Sequence, residues 1–145
     1  MLKVAVIVLV FAGALFMLAA RVPESVFARS TDGVVTLAGI SRLVRQTVIE
    51  PTSFVAKESP LPRVSSFYVL TPDVRDQQFS PTLTLPIVES WKPRVRDLTE
   101  LIVYSYTDEK GWQPLATSVD LSSGTLEAQI TLSAPTGIAV LDGSH

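Results

Sequence analysis

The sequence predicts an all-β fold, a single antiparallel β-sandwich preceded by an N-terminal hydrophobic signal or anchor helix. A long uncharged apolar run stands at the N-terminus. After it, short β-branched and aromatic segments are separated by turn residues about every ten positions, which is typical of sandwiches and barrels. Apolar and polar residues also alternate strictly over residues 125–132, as in a strand with one buried face. The chain has 145 residues, enough for one ordinary domain.

The N-terminal segment has the pattern of a secretory signal. Lys3 precedes an uncharged apolar run at residues 4–20, and a small residue at Ala28 suits a signal peptidase. We therefore expect residues 1–28 to be a signal peptide, with Ala20 as the second choice of cleavage site. The run also approaches the ~20 residues of a spanning helix, so an uncleaved membrane anchor is the alternative. Either way, we expect the rest of the chain outside the cytoplasm, whether secreted, periplasmic or at the cell surface.

Residues 29–63 are interpreted as the first strands of the sandwich and a crossover. A strand is predicted at residues 34–38. For residues 41–50 the Val and Ile content favours a strand, although Ser41 is also a suitable N-cap for a helix. Three prolines make residues 50–63 an irregular connection.

Residues 64–145 are predicted to form the main part of the sandwich. Strands are expected at residues 65–70 and 82–87, and the outward position of Pro86 suggests an edge strand or a bulge. Residues 101–106 are apolar on both faces, which predicts the strand at the centre of the core.

The C-terminal third predicts three further strands. A polar link at residues 107–111 is expected to form a hairpin that leads into one strand at residues 112–119. Residues 125–132 and 137–141 complete the set. The side chains of residues 125–132 expected in the core are Leu126, Ala128, Ile130 and Leu132.

Short apolar phrases follow one another in a characteristic order. They are FYVLTP at 67–72, FSPTLTLPI at 79–87, LIVY at 101–104, GWQPL at 111–115 and GIAVL at 137–141. In this order they resemble ZU5-like β-sandwich domains over about residues 64–141, with a departure at residues 136–138, where that family usually has Ser and Phe. The resemblance implies an Ig-like or ZU5-like surface or protein-interaction module, and it implies no catalytic residues.

The composition excludes several kinds of chemistry. There is no cysteine, and the one histidine is His145, so disulfides, thiolate zinc sites and a histidine-dependent triad are excluded. We predict no metal site and no cofactor, and the formal net charge of -2 argues against a nucleic-acid partner. The acidic pairs Asp73/Asp76, Asp97/Glu100 and Asp108/Glu109 are interpreted as solvated turn charges, so no catalytic residue is assigned.

Aromatic residues are the better functional candidates. Trp91, Trp112, Tyr104 and Tyr106 together are suited to a platform for sugar rings or a partner protein. Hairpin and strand positions favour core packing for Trp112 and Tyr104. Trp91 instead stands in a polar link next to a proline, where an exposed contact residue is expected.

The predicted binding residues are therefore Trp91 with its basic neighbours Lys92 and Arg94. The leading functional hypothesis is an exported, non-enzymatic module that binds a protein or a cell-surface glycan at the cell envelope. One alternative is a membrane-anchored accessory subunit that faces the periplasm and contacts the membrane only through an uncleaved N-terminal helix. A carboxylate-dependent polysaccharide hydrolase is the other.

Overall fold

The computed structural model describes residues 24–53, 57–73 and 77–145. The apolar run expected to be a signal or anchor lies outside the described residues. Within these ranges, ten strands form two antiparallel sheets around one core, which confirms the predicted all-β sandwich. In chain order the strands are β1 (Val26–Arg29), β2 (Thr36–Gly39), β3 (Val48–Thr52), β4 (Phe67–Thr71), β5 (Thr82–Pro86), β6 (Leu101–Thr107), β7 (Gly111–Pro114), β8 (Thr117–Asp120), β9 (Thr125–Gln129) and β10 (Thr136–Asp142).

Each sheet has five strands, and each mixes early and late parts of the chain. Sheet 1 has the order β1-β2-β5-β9-β8, and sheet 2 has the order β3-β4-β10-β6-β7. The core between them is aliphatic. Its fully buried side chains include Leu37, Leu83, Leu85 and Leu126 from sheet 1, and Ile49, Leu70, Leu101 and Ile138 from sheet 2.

The alternation over residues 125–132 is confirmed. Leu126 and Leu132 are fully buried, Ile130 is 3 % exposed, and Gln129 is exposed. Because side chains on a strand point to alternate faces, this register places every second residue in the core.

The centre of sheet 2 is β10, not the predicted residues 101–106. β10 pairs with β4 on one side and β6 on the other, and all seven of its residues are buried. β6 lies next to it and pairs with the short edge strand β7. Pro86 likewise does not mark an edge, since β5 lies between β2 and β9 and the proline is its last residue. At that position its missing N–H removes little from the sheet.

Residues 41–50 divide into two elements, so the prediction of a strand is wrong for their first half. A one-turn helix, α1, spans Arg42–Arg45, and the Ser41 hydroxyl accepts a hydrogen bond of 3.2 Å from the Leu43 N–H. The chain then enters β3. The N-cap contact outweighs the weak helix propensity of the branched residues because the turn is so short.

Residues 112–119 also divide, which corrects the single predicted strand. β7 belongs to sheet 2 and β8 to sheet 1, so the chain changes sheets at residues 115–116. Pro114 ends β7 because it has no N–H to donate. The next N–H, that of Leu115, donates to the Val103 carbonyl at 2.9 Å.

The first strand includes residues that the sequence assigned to the leader. In β1, Val26 and Ala28 are 9 % exposed and pair with Gly39 and Leu37 of β2. The expected boundary after Ala28 therefore falls inside a strand of sheet 1. Two further 3₁₀ helices, Glu89–Arg94 and Leu98–Glu100, connect β5 to β6. Among the described residues, no helix has the length and apolarity needed to cross a membrane.

A polar contact ties the two sheets together near the β1–β2 turn. The Tyr68 hydroxyl of β4 donates to Asp32 Oδ2 at 2.7 Å, and the Ser30 hydroxyl donates to Asp32 Oδ1 at 2.6 Å. The Val34 N–H also donates to Oδ1. Burial alone raises the pKa of Asp32, but these hydrogen bonds outweigh it and hold the pKa below 3.8.

Candidate functional site

Trp91 is a core residue, so the expectation that it is an exposed contact is wrong. It is 5 % exposed and belongs to the main hydrophobic cluster between the sheets. The cause is the 3₁₀ helix Glu89–Arg94, in which the Trp91 N–H donates to the Val88 carbonyl at 2.9 Å. Residues three apart lie on one side of a 3₁₀ helix, so Val88 and Trp91 both pack inward.

Lys92 and Arg94 are exposed, as expected, but they do not form a surface with Trp91. Lys92 makes an ion pair with Glu89 one turn earlier. Arg94 donates to the Val64 carbonyl at 3.1 Å and to the Ser90 carbonyl at 3.3 Å. It therefore ties the 3₁₀ helix to the segment just before β4. The structure thus places the three predicted binding residues on different sides of one short helix, with the cations in structural contacts.

Another aromatic group takes shape on the outer face of sheet 2. Residues that pair across neighbouring strands lie on the same face of a sheet. The register therefore defines one row of side chains across all five strands. The row consists of Glu50, Val69, Gly137, Tyr106 and Trp112. Because these residues point away from the core, the sheet carries a second hydrophobic cluster on its outside.

Three rings of this cluster pack against one another, two of the pairs edge to face and the third tilted. The centroids of Phe67 and Trp112 are 5.9 Å apart at an interplanar angle of 76°, and those of Phe67 and Tyr106 are 6.3 Å apart at 71°. Tyr106 and Trp112 are 5.2 Å apart at 56°. Such arrangements align the positive edge of one ring with the negative face of another. We call Phe67, Tyr104, Tyr106 and Trp112 the aromatic face.

Gly137 makes room for this packing. A Cβ atom at Gly137 would lie 2.0 Å from Cζ of Phe67, far inside van der Waals contact. The Phe67 ring therefore lies directly over the backbone of the central strand. The glycine is needed here for space, since its backbone is an ordinary strand conformation.

The crossover segment fixes one side of the aromatic face. The Trp112 Nε1–H donates to the Lys57 carbonyl at 2.8 Å, and Leu61 packs against the cluster. Trp112 and Tyr104 remain half-buried, so parts of both rings face solvent. Within the described part of the chain, the hydroxyls of Tyr104 and Tyr106 make no hydrogen bond, and neither hydroxyl oxygen is fully buried. The face thus offers fixed apolar rings with polar tips.

Sequence reasoning found part of this group and missed part. It considered Trp112, Tyr104 and Tyr106 together, but it favoured the core for Trp112 and Tyr104 and included Trp91. Phe67 and Gly137 were missed as members. The available signal was the alternation of side chains along β4. Phe67 and Val69 lie on the face opposite to Leu70, so both faces of this strand carry apolar residues.

The acidic pairs have structural or exposed positions. Asp97 caps the second 3₁₀ helix, accepting from the Thr99 N–H at 2.9 Å. Asp108 and Glu109 are exposed in the β6–β7 turn, and Asp76 lies outside the described residues. Among the residues that the structure describes, no group of three acidic or histidine side chains is arranged for a metal ion.

No protein-family model matches the chain, and no curated protein matches it.

Proposed function

We propose that the chain is an exported, non-enzymatic binding module of the cell envelope that takes a protein or glycan partner on its aromatic face. The observation that carries this proposal is the aromatic face on the outside of sheet 2, in which Tyr104 and Trp112 stay partly exposed while Phe67 and Tyr106, against which they pack, are buried. Large aromatic side chains dominate the energetics of interfaces, and their polar tips add orientation.

The rings are suited to recognition because they are already ordered. Phe67 packs edge to face against Tyr106 and Trp112, these two rings are tilted against each other, and the Lys57 carbonyl accepts a hydrogen bond from the indole N–H. A partner therefore gains contact area without a large loss of side-chain entropy. The free hydroxyl of Tyr104 and the exposed edge at Pro114 extend the same surface toward the edge strand β7.

A photo-crosslinking experiment tests the proposal. The full chain, expressed in its native cells, receives a benzophenone amino acid at Tyr104, and a matched variant receives it at Leu121, which is 53 % exposed in the β8–β9 turn of sheet 1. We expect a discrete adduct from Tyr104 and none from Leu121. Equal adducts from both positions, or none from either together with no glycan binding, would refute the proposal.

Glycan binding is measured separately by titrating cello-, xylo- and chito-oligosaccharides against tryptophan fluorescence. If a sugar is the partner, Tyr104→Ala weakens binding by more than about 1 kcal/mol, roughly five-fold in Kd. The control is Thr84→Ala on the outer face of sheet 1, which is expected to leave the affinity unchanged.

We further propose that β1 is retained in the working protein, which speaks against cleavage after Ala28 and leaves the membrane-anchored form or cleavage after Ala20. Such cleavage would remove three of the four residues of β1 and the buried side chains Val26 and Ala28. It would also expose the edge of β2. Intact-mass measurement of the membrane and soluble fractions tests this, and a soluble product that begins at Arg29 would contradict it.

The finer fold assignment is part of the same proposal. The order of the phrases from Phe67 to Leu141 supports an Ig-like, ZU5-like sandwich, and such modules serve as surface or interaction domains. The hydrolase alternative needs two carboxylates that face each other across a cleft. Asp97 instead caps a helix, and Asp108 and Glu109 are consecutive turn residues.

A further inference from the structure

One corner of sheet 1, at the end of the β1–β2 pair, exposes two large apolar side chains. Phe27 on β1 is 62 % exposed, and Ile40, which follows β2, is 71 % exposed. Phe27 pairs with Ala38, and Ile40 comes directly after Gly39, the last paired residue of β2, so both exposed side chains stand at the same end of the β1–β2 pair. Beyond β2 the outer face of sheet 1 is covered by polar side chains such as Thr82 and Gln129, which hydrogen-bond to each other.

Basic side chains stand beside Ile40. Arg42 and Arg45 of α1 are exposed, and with Glu24, Val26 and Ile40 they line an open depression of about 650 Å³ at this end of the β1–β2 pair. The depression thus holds two cations against one carboxylate, although the whole chain has a formal net charge of -2. The ion pair found among the described residues joins Lys92 and Glu89 on the 3₁₀ helix, so neither arginine takes part in it.

The position of this corner along the chain indicates what covers it. The described chain begins at Glu24, which lines the depression, and the apolar run ends at Ala20. Four residue steps span at most about 14 Å when fully extended. If the run is retained in a membrane, the corner is held within that distance of the bilayer surface.

We propose that the corner formed by Phe27, Ile40, Arg42 and Arg45 rests on the anionic surface of a lipid bilayer. This inference rests on the anchored form of the proposed function. Phe27 and Ile40 would enter the interface between headgroups and acyl chains, where apolar side chains of peripheral proteins lie. Arginine binds phosphate oxygens through its planar fork, so the two guanidinium groups would bind lipid phosphates. The contact fixes the orientation of the domain and holds sheet 2 away from the point of attachment.

The absence of cysteine from the sequence allows a direct test. The full chain carries a single environment-sensitive nitrobenzoxadiazole dye at Ile40→Cys and is reconstituted into phosphatidylcholine vesicles with or without phosphatidylglycerol. The matched control is Leu121→Cys, an exposed apolar position at the opposite edge of sheet 1. Flotation of the vesicles reports the anchor, and quenching of the dye by brominated lipid reports the corner.

We expect the dye at Ile40 to shift to the blue and to be quenched when phosphatidylglycerol is present, whereas the dye at Leu121 stays unquenched. Flotation without quenching at Ile40 would overturn the inference and leave the anchor intact. Failure to float in either vesicle would overturn both. A blue shift that depends on protein concentration and not on lipid would identify a second copy of the chain as the occupant and would also overturn the inference.

The arginines are tested with Arg42→Gln/Arg45→Gln in the chain labelled at Ile40→Cys. Each basic side chain near an anionic surface contributes a factor of about five to association, so the double variant is expected to weaken lipid contact of the corner roughly 30-fold. Flotation should not change. Undiminished quenching in the double variant would refute the assigned role of the arginines.

Discussion

The outer faces of the two sheets differ although both surround the same core. On sheet 2 the outer face carries Phe67, Tyr106 and Trp112 packed together, with Gly137 left small beneath them. On sheet 1 the outer face from β5 to β8 carries short polar side chains, and Thr82 there is paired with Gln129. Either composition is compatible with strand formation, so strand formation does not explain the difference.

The difference separates the residues that stabilise the fold from those that we propose for binding. The interior aliphatic residues account for folding in both sheets, since each sheet contributes fully buried leucines. The aromatic face is an additional packed layer outside that core. Substitutions that affect one layer and spare the other therefore test the distinction.

The largest effect is expected for Trp91→Ala, which removes an indole from the core. Loss of a buried aromatic side chain costs about 3–5 kcal/mol of unfolding free energy. Trp112→Ala, on the aromatic face, is expected to cost about 1–2 kcal/mol, because part of that ring already faces water. Urea unfolding followed by circular dichroism measures both, and equal losses would mean that the aromatic face is as integral to folding as the core.

Next comes Ile130→Ala, which tests whether the residue directly after β9 lies in the core, as the alternation over residues 125–132 predicts. Its side chain is 3 % exposed, so we expect a loss of roughly 2–4 kcal/mol from transfer energy and the cavity left behind. Gln129→Ala, one residue earlier and exposed, should stay within about 0.5 kcal/mol. Comparable denaturation midpoints for the two variants would contradict the register.

Gly137→Ala tests whether the Phe67 ring really occupies the surface of the central strand. The new methyl would meet Cζ of Phe67 at 2.0 Å, and overpacking of this kind costs about 1–3 kcal/mol. Adding Phe67→Leu should recover part of the loss, because the ring that clashes is gone. The control Thr84→Ala on sheet 1 should cost little. A Gly137→Ala variant as stable as the parent would show that the ring is free to move aside.

The smallest effect is expected from acid titration of two carboxylates of sheet 1. Hydrogen bonds from the Ser122 and Ser123 side chains and N–H groups lower the pKa of Asp120 from 3.8 to about 2, and the pKa of Asp32 is lowered as well. A pKa that is lower in the folded state contributes stability above the ordinary value and loses it as the pH falls through the folded value. The unfolding free energy should therefore decline between about pH 4 and pH 2.

Amide variants check the cause of that decline. Asp120→Asn and Asp32→Asn should each flatten the acid limb of the stability profile. Because the shifts arise from hydrogen bonds and not from ion pairs, added salt should leave the limb in place. A limb that salt abolishes would point to long-range charge interactions instead.

Local pattern was sufficient for much of the fold. The alternation of residues 125–132, the β6–β7 hairpin and the strand at residues 137–141 were all predicted from neighbours in sequence, because the period of two and the turn residues are local signals. The division of residues 112–119 between two sheets was not predicted. It depends on the change of sheets after Pro114, where the Leu115 N–H donates to the Val103 carbonyl of β6, and this contact is not visible in the local sequence of residues 112–119.

The candidate site shows the same limit. Trp91 has a polar sequence context, yet a 3₁₀ turn directs its ring inward, and no neighbour in sequence reports that turn. Phe67, Tyr106 and Trp112 come from three strands, so only the register of β4, β10, β6 and β7 brings them together.

By itself, the sequence determined the all-β class, most strand positions and the inward residues of β9, since these follow from periodicity and turn chemistry within short windows. Only the tertiary structure decided that β10 is the central strand, that β1 spans the expected leader boundary, and that the aromatic rings share one outer face. Strand order and register are set by pairing between distant segments, and a shift of one residue exchanges the inner and outer faces of a strand. Which apolar side chains stay outside is therefore decided only when the sheets have assembled.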